Sequence, residues 1–311
     1  MEKEIRVAIV APVHNRKETT LQCLRSISRL ENDSFSVQTI IVDDGSTDGT
    51  GEAIRTQFPY VEVIHGNGDL WFTEGTNVGV RAALKYDPNY VLMINDDQVF
   101  DSAAVKNMVE CAESHPRSIV GPLLLLWDQP HKVFLTSPVW SIWMGGWRHW
   151  NHQTVWTVPD GPWEVDLIVG NCVLVPVTAI REVGLMNSTL FPNFGDVEYT
   201  PRMRRKGWSL LIEPRARTFC QQNTVPPRIR HLSMREKVEA LLIDKKHPHN
   251  LRRRFWGSWA GAPNRLSGFL AFLAFVFRVL VGKTRDIDRP DYQEIEKPLK
   301  EKFARATWPP V

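Results

Sequence analysis

The chain has only 4 cysteines in 311 residues, Cys23, Cys111, Cys172 and Cys220, and no CxxC pair. That spacing excludes a disulfide framework and a structural zinc site, and it suits reduced thiols in a cytosolic protein. No apolar run reaches the roughly 20 residues of a spanning helix. The longest, LSGFLAFLAFVFRVLV from Leu266 to Val281, has 16 residues and contains Arg278. It fits a buried helix, a dimer seam or a helix lying in a membrane interface. The first residues, MEKEIRVAIVAPVHN, carry acids where a signal peptide needs bases, so none is expected. There is no internal repeat, and no groove-reading motif of a nucleic-acid binder.

Apolar residues make up 43% and charged residues 23%, ordinary values for a globular protein. Tryptophan and the placement of charge are less ordinary. Of 12 Trp, seven (Trp127, Trp140, Trp143, Trp147, Trp150, Trp156 and Trp163) fall within 37 positions. The net charge of +3 conceals a division: residues 1–199 carry 14 Lys+Arg against 25 Asp+Glu, and residues 200–311 carry 24 against 10. The C-terminal part is therefore suited to an anionic partner.

Hydrophobic periodicity predicts strands at Arg6–Pro12, Val37–Val42, Val61–Ile64 and Tyr90–Ile94. They alternate with helices at Glu18–Leu30, Asp48–Phe58, Thr76–Tyr86 and 101–115. Such alternation predicts an α/β fold with a mostly parallel central sheet flanked by helices, and a site beyond the strands' carboxyl ends. Three polar clusters fall there: His14–Glu18, Asp43–Ser46 and Asn95–Asp97. Residues 122–165 read as a loop-rich, Trp-rich insertion, and 166–176 as a return to strand. A short helix is expected at Thr178–Gly184. Thr200-Pro201 reads as the N-cap and first residue of a helix ending at Gly207. The expected division is a catalytic domain over 1–225 and a basic, partly helical extension over 226–311.

VDDGSTDGT (42–50) puts two carboxylates and a turn at a strand end, where acids accept hydrogen bonds from a nucleobase or ribose. By itself it is equally a turn followed by a helix cap. INDDQ (94–98) puts Asp96 and Asp97 at a second strand end, the chemistry a hard divalent cation needs to bridge protein carboxylates and substrate phosphates.

APVHNRKETTLQCLRSI, IIVDDGSTDGT, GNGDLWFTEGTNVGVRAAL, VLMINDDQVF and FPNFGDVEYTPRMRRKGW occur in this order. Together they resemble glycosyltransferase family 2, inverting enzymes of GT-A fold, in the flavour of rhamnosyltransferase-like bacterial polysaccharide enzymes. The resemblance covers about 7–220. It implies that Pro12, His14, Arg16 and Glu18 contact the nucleotide, and that Asp43 and Asp44 hold base and ribose. Asn95-Asp96-Asp97 is similar to the DxD element, which implies Asp97 as ligand of Mn2+ or Mg2+ and Asp96 facing the ribose or donor sugar. Gly75, Thr76, Asn77 and Gly79 match a helix under the donor. Asp196 matches the catalytic base, and Glu198 and Arg202 match acceptor-side positions. His231 is the candidate third metal ligand. The sequence departs from the pattern at Asn187, Gly195 and Pro201, and it lacks the QxxRW motif of processive synthases.

What the resemblance implies is metal-dependent, inverting transfer of rhamnose, a hexose or an N-acetylhexosamine. The donor would be a UDP- or dTDP-sugar and the acceptor a lipid-linked or polysaccharide glycan. Asp196 stands at an expected helix start, where the helix dipole should keep it ionised. Trp140 and Trp147, in the block between metal motif and base, are candidates for stacking on an acceptor sugar. The basic run KKHPHNLRRR and the 266–281 segment together suit an anionic membrane surface. A nucleotidyltransferase would need a Gly-rich, Arg/Lys-bearing phosphate loop after the first strand, which APVHNRKE lacks. A catalytically silent carbohydrate-binding protein would have no need of Asp44, Asp97 and Asp196 together.

Overall fold

The computed structural model describes residues 4–134, 138–148, 153–220, 232–244, 247 and 249–281. β1 (Ile5–Val13), β2 (Phe35–Asp43), β3 (Glu62–His65) and β4 (Tyr90–Ile94) form a parallel block in the order β3-β2-β1-β4. β10 (Cys172–Pro176) runs antiparallel against β4 and joins the block to β6 (Ser118–Leu126). β6 pairs in parallel with β11 (Ser209–Cys220), which also takes the short strands β5 (Val99–Phe100) and β9 (Trp163–Glu164). One sheet therefore runs through the molecule, and it is parallel only within its blocks.

β1 is apolar at nearly every position because both its faces are covered. Val7, Ile9 and Ala11 join one core cluster with Leu21 and Leu24 of α1 (Lys17–Ile27) and Met108 of α4 (Ala104–Ser114). Ala8 and Val10 join the other, with Val80 of α3 (Trp71–Ala83) and Tyr199 and Met203 of the helix after Gly195. A methyl group on Gly79 would stand 2.2 Å from Val10 Cγ1, so this glycine lets α3 lie close on the sheet. α2 (Thr50–Gln57) and α5 (Val177–Val183) complete the flanking layers. All four cysteines are buried free thiols.

Several expectations need correction. The Trp-rich stretch begins after 126, because 122–126 belongs to β6 in the central sheet. It contains the hairpin β7 (Val139–Ser141) and β8 (Gly146–Arg148). Strand character in 166–176 is confined to β10, and the preceding residues form a loop. The helix expected to open at Thr200-Pro201 opens five residues earlier, as α6 (Asp196–Arg205), with Gly195 as its N-cap and Pro201 inside it. Thr200 is no cap: its Oγ1 accepts from the Ile168 N–H (3.2 Å) and donates to the Ile168 carbonyl (3.0 Å). A proline at 201 removes the N–H that Val197 C=O would have accepted. That carbonyl faces Gly261, where a Cβ would come within 2.4 Å of it.

Gly261 ends α8 (Leu251–Gly261), which packs on α6 and on α9 (Arg265–Leu280). α9 in turn contacts β8, and α7 (Met234–Val238) precedes this pair. Among the described residues no helix is long and apolar enough to cross a membrane.

Candidate active site

The carboxyl ends of β1, β2 and β4, the 167–171 loop and the start of α6 enclose an open cleft of about 510 Å³. Its wall includes Pro12, His14, Arg16, Asp44, Asn95, Asp96, Trp147 and Asp196. Three separate stretches of sequence and the expected base thus meet at one cavity.

On the strand-end wall, donors hold the carboxylates. Asp44 Oδ1 accepts from the Gly68 N–H (2.8 Å), and Oδ2 from the N–H groups of Leu70 (2.9 Å) and Trp71 (3.1 Å). The second Asp of the DDGS turn therefore anchors the loop that opens α3. Asp43 is buried and accepts from the Ser46 N–H (3.0 Å), closing the turn. His14 Nδ1 donates to the Asp44 carbonyl (2.6 Å), which leaves Nε2 as the acceptor facing Asn15 Nδ2 (3.0 Å).

Arg16 reaches across from the loop after β1 and bridges the Asp pair. Nη1 donates to Asp96 Oδ1 (2.8 Å) and Nη2 to Asp97 Oδ2 (3.2 Å). Thr20 Oγ1 donates to Asp96 Oδ2 (3.2 Å), and Gln98 Nε2 to Asp97 Oδ1 (3.2 Å). Burial pushes the Asp96 carboxyl up to about 6; Arg16 opposes the shift and the Asp97 charge adds to it. Asn95 Oδ1 is buried beside them without a hydrogen-bond partner.

Asp196 stands on the opposite side, as the first residue of α6. Its Oδ2 accepts from the Gly170 N–H (2.9 Å). A Cβ on Gly170 would lie 2.7 Å from Asp196 Cβ, so only glycine lets the loop close on it. Burial pushes the Asp196 carboxyl up, against backbone N–H groups of Gly170, Asp196 and Val197 and the charge of Arg253. This overturns the expectation that the helix dipole governs it: desolvation disfavours the charged form more than the helix end favours it.

Residues 8–158 match the family model for glycosyl transferase family 2. Over that stretch, just under half of its length, the chain is similar to glycosyltransferase family 2. It is 24% identical over 262 residues to the N-acetylglucosaminyl-diphospho-decaprenol L-rhamnosyltransferase of Mycobacterium tuberculosis, covering 76% of this chain and 81% of that protein. It is 23% identical over 117 residues to glycosyltransferase GlyG of Streptococcus pneumoniae serotype 4, 37% of each. Among solved structures it resembles GalNAc-T7 with UDP, GalNAc and Mn2+ (TM-score 0.58, 14% identity, 95% of this chain). This chain spans 58% of that one. It also resembles residues 1–349 of TarS from S. aureus (TM-score 0.51, 10% identity, 96% of this chain and 77% of that one). The enzyme's fold is GT-A.

Not every expected site residue of the glycosyltransferase reaches the cleft. Glu18 is exposed on the first turn of α1, away from the cleft wall. Asp97 is buried behind Asp96 and does not line the cavity. Asn77 is buried: its Oδ1 accepts from the Met186 N–H (3.1 Å) and its Nδ2 donates to the Met186 carbonyl (2.9 Å), pinning the 185–188 loop to α3. Glu198 and Arg202 pair within α6 (2.8 Å), and Arg202 donates to the carbonyls of Val183 (3.0 Å) and Leu185 (2.7 Å). Both therefore support the helix that carries Asp196 and lie off the cleft wall. Trp147 lines the cleft; Trp140 packs edge-on behind it at 5.2 Å between ring centroids. His231 lies outside the described residues.

Trp71, Phe194 and Arg253 belong to the site and were not singled out from sequence. Trp71 opens α3 at a φ of 62°, a left-handed conformation costly for a bulky residue, and its indole N–H donates to Asp69 Oδ1 (2.7 Å). The Arg253 guanidinium lies 3.4 Å from the centroid of the Phe194 ring. Trp71 was visible only within GNGDLWFTEGTNVGVRAAL, one of the stretches that carry the family resemblance; its helix begins at Trp71 rather than at the expected Thr76. Nothing local ties residue 253 to residue 194.

Proposed function

We propose that this glycosyltransferase moves rhamnose, a hexose or an N-acetylhexosamine from a UDP- or dTDP-sugar to a lipid-linked or polysaccharide acceptor, with inversion. The observation that carries the reading is the unequal state of the three carboxylates lining the cleft. Asp44 is tied by three backbone N–H groups and Asp96 is paired with Arg16. Asp196 forms no ion pair among the described residues and is desolvated, which suits a proton acceptor. In the proposed step Asp196 takes the acceptor hydroxyl proton as that oxygen bonds to the anomeric carbon. The bond from that carbon to the nucleoside diphosphate breaks on the opposite face. One displacement with no carboxylate nucleophile inverts the centre.

The strand-end wall suits the nucleotide. Pro12, His14, Arg16, Asp43 and Asp44 would frame base and ribose, with Asp96 toward the sugar. Asp97, with Asp96 and the unpartnered Asn95 Oδ1, offers the oxygen donors a Mn2+ or Mg2+ ion takes, and such ions complete their shell with phosphates and water. Among the described residues no group of three His, Cys, Asp or Glu could hold a metal alone. In the proposed site the donor's phosphates would complete the ion's shell. When bound, the ion would neutralise the departing diphosphate.

The extension supports work at the inner face of a cytoplasmic membrane. α9 turns Leu266, Phe269, Leu273, Phe277 and Leu280 outward, 42–78% exposed, and Trp143 beside its end is 84% exposed. Phosphatidylglycerol vesicles should pellet the protein, and Phe277→Glu should abolish pelleting. A homodimer using this face would appear instead as a mass change lost in the same variant.

The deciding experiment is a thermal-shift screen of UDP-, dTDP- and GDP-sugars with Mn2+ or Mg2+. A UDP- or dTDP-sugar with metal should stabilise the wild type and fail to stabilise Asp97→Ala. Stabilisation by none of them sinks the reading.

A further inference from the structure

Each of the four carboxylate oxygens of the Asp96–Asp97 pair already takes a hydrogen bond. Thr20 Oγ1 donates to Asp96 Oδ2 (3.2 Å) and Gln98 Nε2 to Asp97 Oδ1 (3.2 Å), and both of these donors are fully buried. The other two oxygens, Asp96 Oδ1 and Asp97 Oδ2, are held by the two ends of the Arg16 guanidinium at 2.8 and 3.2 Å. The Arg16 side chain is 42% exposed, against 6% and 5% for the two carboxylates. Arg16 therefore covers the face of the pair that opens toward the cleft.

The root of this side chain is fixed and its arm is not. The Asn15 N–H donates to Ser46 Oγ (2.9 Å), the Thr47 N–H to Asn15 Oδ1 (2.7 Å) and the Lys17 N–H to Asp48 Oδ2 (3.0 Å). The Arg16 carbonyl accepts the Thr20 N–H (2.9 Å) at the start of α1. Rotation of the exposed side chain alone is enough to release the guanidinium. A divalent cation would need the oxygens that Arg16 holds, and beside a fixed guanidinium it would leave positive charge in excess at a largely buried site. The neighbouring Asn95 Oδ1 has no partner, but a lone amide oxygen holds a hard cation poorly without the carboxylates. A nucleoside diphosphate changes the balance, because its phosphates offer the guanidinium fork a second pair of oxygens.

Resting on the donor and metal reading above, we propose that Arg16 is a resident cation of the metal site. It occupies the carboxylate pair in the donor-free protein and gives the pair up when a nucleoside diphosphate takes the guanidinium. Metal and nucleotide then strengthen each other's binding, since one release of Arg16 serves both. Arg16 is in this sense a positioning residue: it keeps the carboxylates closed to metal until the donor arrives.

A Mn2+ titration followed by the EPR signal of the free ion tests this without measuring transfer. Without nucleotide, Arg16→Ala should bind Mn2+ about tenfold or more tightly than the wild type, since no charged hydrogen bond has to be broken. Arg16→Lys keeps the charge but not the fork and should fall between the two. Lys17→Ala removes the adjacent charge without touching either carboxylate, and should stay within about twofold of the wild type. UDP or dTDP should tighten Mn2+ binding by a factor about tenfold larger in the wild type than in Arg16→Ala. Thermal melting checks that each variant is folded, and Arg16→Lys carries the test if Arg16→Ala is not. Equal nucleotide-free affinity in the wild type and the Arg16 variants overturns the proposal. So does a nucleotide effect that is present and equal in wild type and variant, a gain in Lys17→Ala as large as in Arg16→Ala, or no Mn2+ binding by any of them. A failed donor reading shows separately: neither nucleotide changes Mn2+ affinity in any protein, while the nucleotide-free difference remains.

Discussion

Asp44 and Asp196 line one cavity from two differently built walls. The wall around Asp44 comes from strand ends close in space along one parallel block, and backbone donors converge on its carboxylate. The wall around Asp196 comes from a loop and a helix start, and offers Gly170 as donor within a desolvated environment. The first arrangement ties a carboxylate to three backbone donors and shapes a loop. The second raises the energy of a charge and leaves it ready to take a proton. On the proposed mechanism the same residue type serves as scaffold on one wall and reagent on the other, and donor count and desolvation make the difference.

The largest expected effect breaks the reactive wall. Asp196→Asn should slow transfer by about 10²–10⁴-fold, the range of a lost general base, measured by single-turnover kinetics. It should also raise the melting temperature at neutral pH. A carboxyl whose folded value is raised destabilises the folded state while ionised, and that penalty is relieved as pH falls or when the charge is removed. Gly170→Ala attacks the same wall through shape, because the new methyl would meet Asp196 Cβ at 2.7 Å. A displaced base should cost up to about 10²-fold in kcat, with a smaller loss in acceptor KM.

Asp44→Asn tests the other wall. Losing a charged acceptor shared by three N–H groups should destabilise the fold by roughly 1–3 kcal/mol in denaturant titration. If Asp44→Asn costs no stability while Asp196→Asn costs much, the two roles have been assigned the wrong way round. The pH profile sharpens the contrast further. On the proposed mechanism the acid limb of kcat should lie above the ordinary carboxylate value of about 4, since Asp196 would have to lose its proton before accepting one. An acid limb at or below that value would mean that burial does not govern this base. The smallest effect is expected at the exposed α9 stripe. Leu273→Ser should leave stability within about 0.5 kcal/mol while weakening vesicle binding.

Much of the strand-end wall was legible. APVHN, VDDGS and INDDQ each join a buried strand to a polar turn, and parallel strands bring such turns to one edge. β11 was not legible, because SLLIEPRARTFC mixes charges into its apolar run. Glu213 is fully buried there and holds the Arg215 N–H and guanidinium, which no periodicity reveals. The start of α6 was misplaced because Thr200-Pro201 has the form of a helix opening, whereas Thr200 bonds to Ile168 and Pro201 is accommodated by α8. Glu198 and Arg202 have family-like spacing, yet their side chains are spent within the protein.

The sequence alone carried the family resemblance, the alternation that builds the sheet and the acidic turns at its edge, because local pattern and chain order suffice for these. Tertiary structure decided which carboxylate is saturated and which is desolvated. It also decided that Asp96 rather than Asp97 lines the cavity, and that Arg253 arrives beside Phe194 from a helix 59 positions later in the chain. Solvation and close approach depend on what surrounds a residue in space, and those neighbours are scattered through the chain.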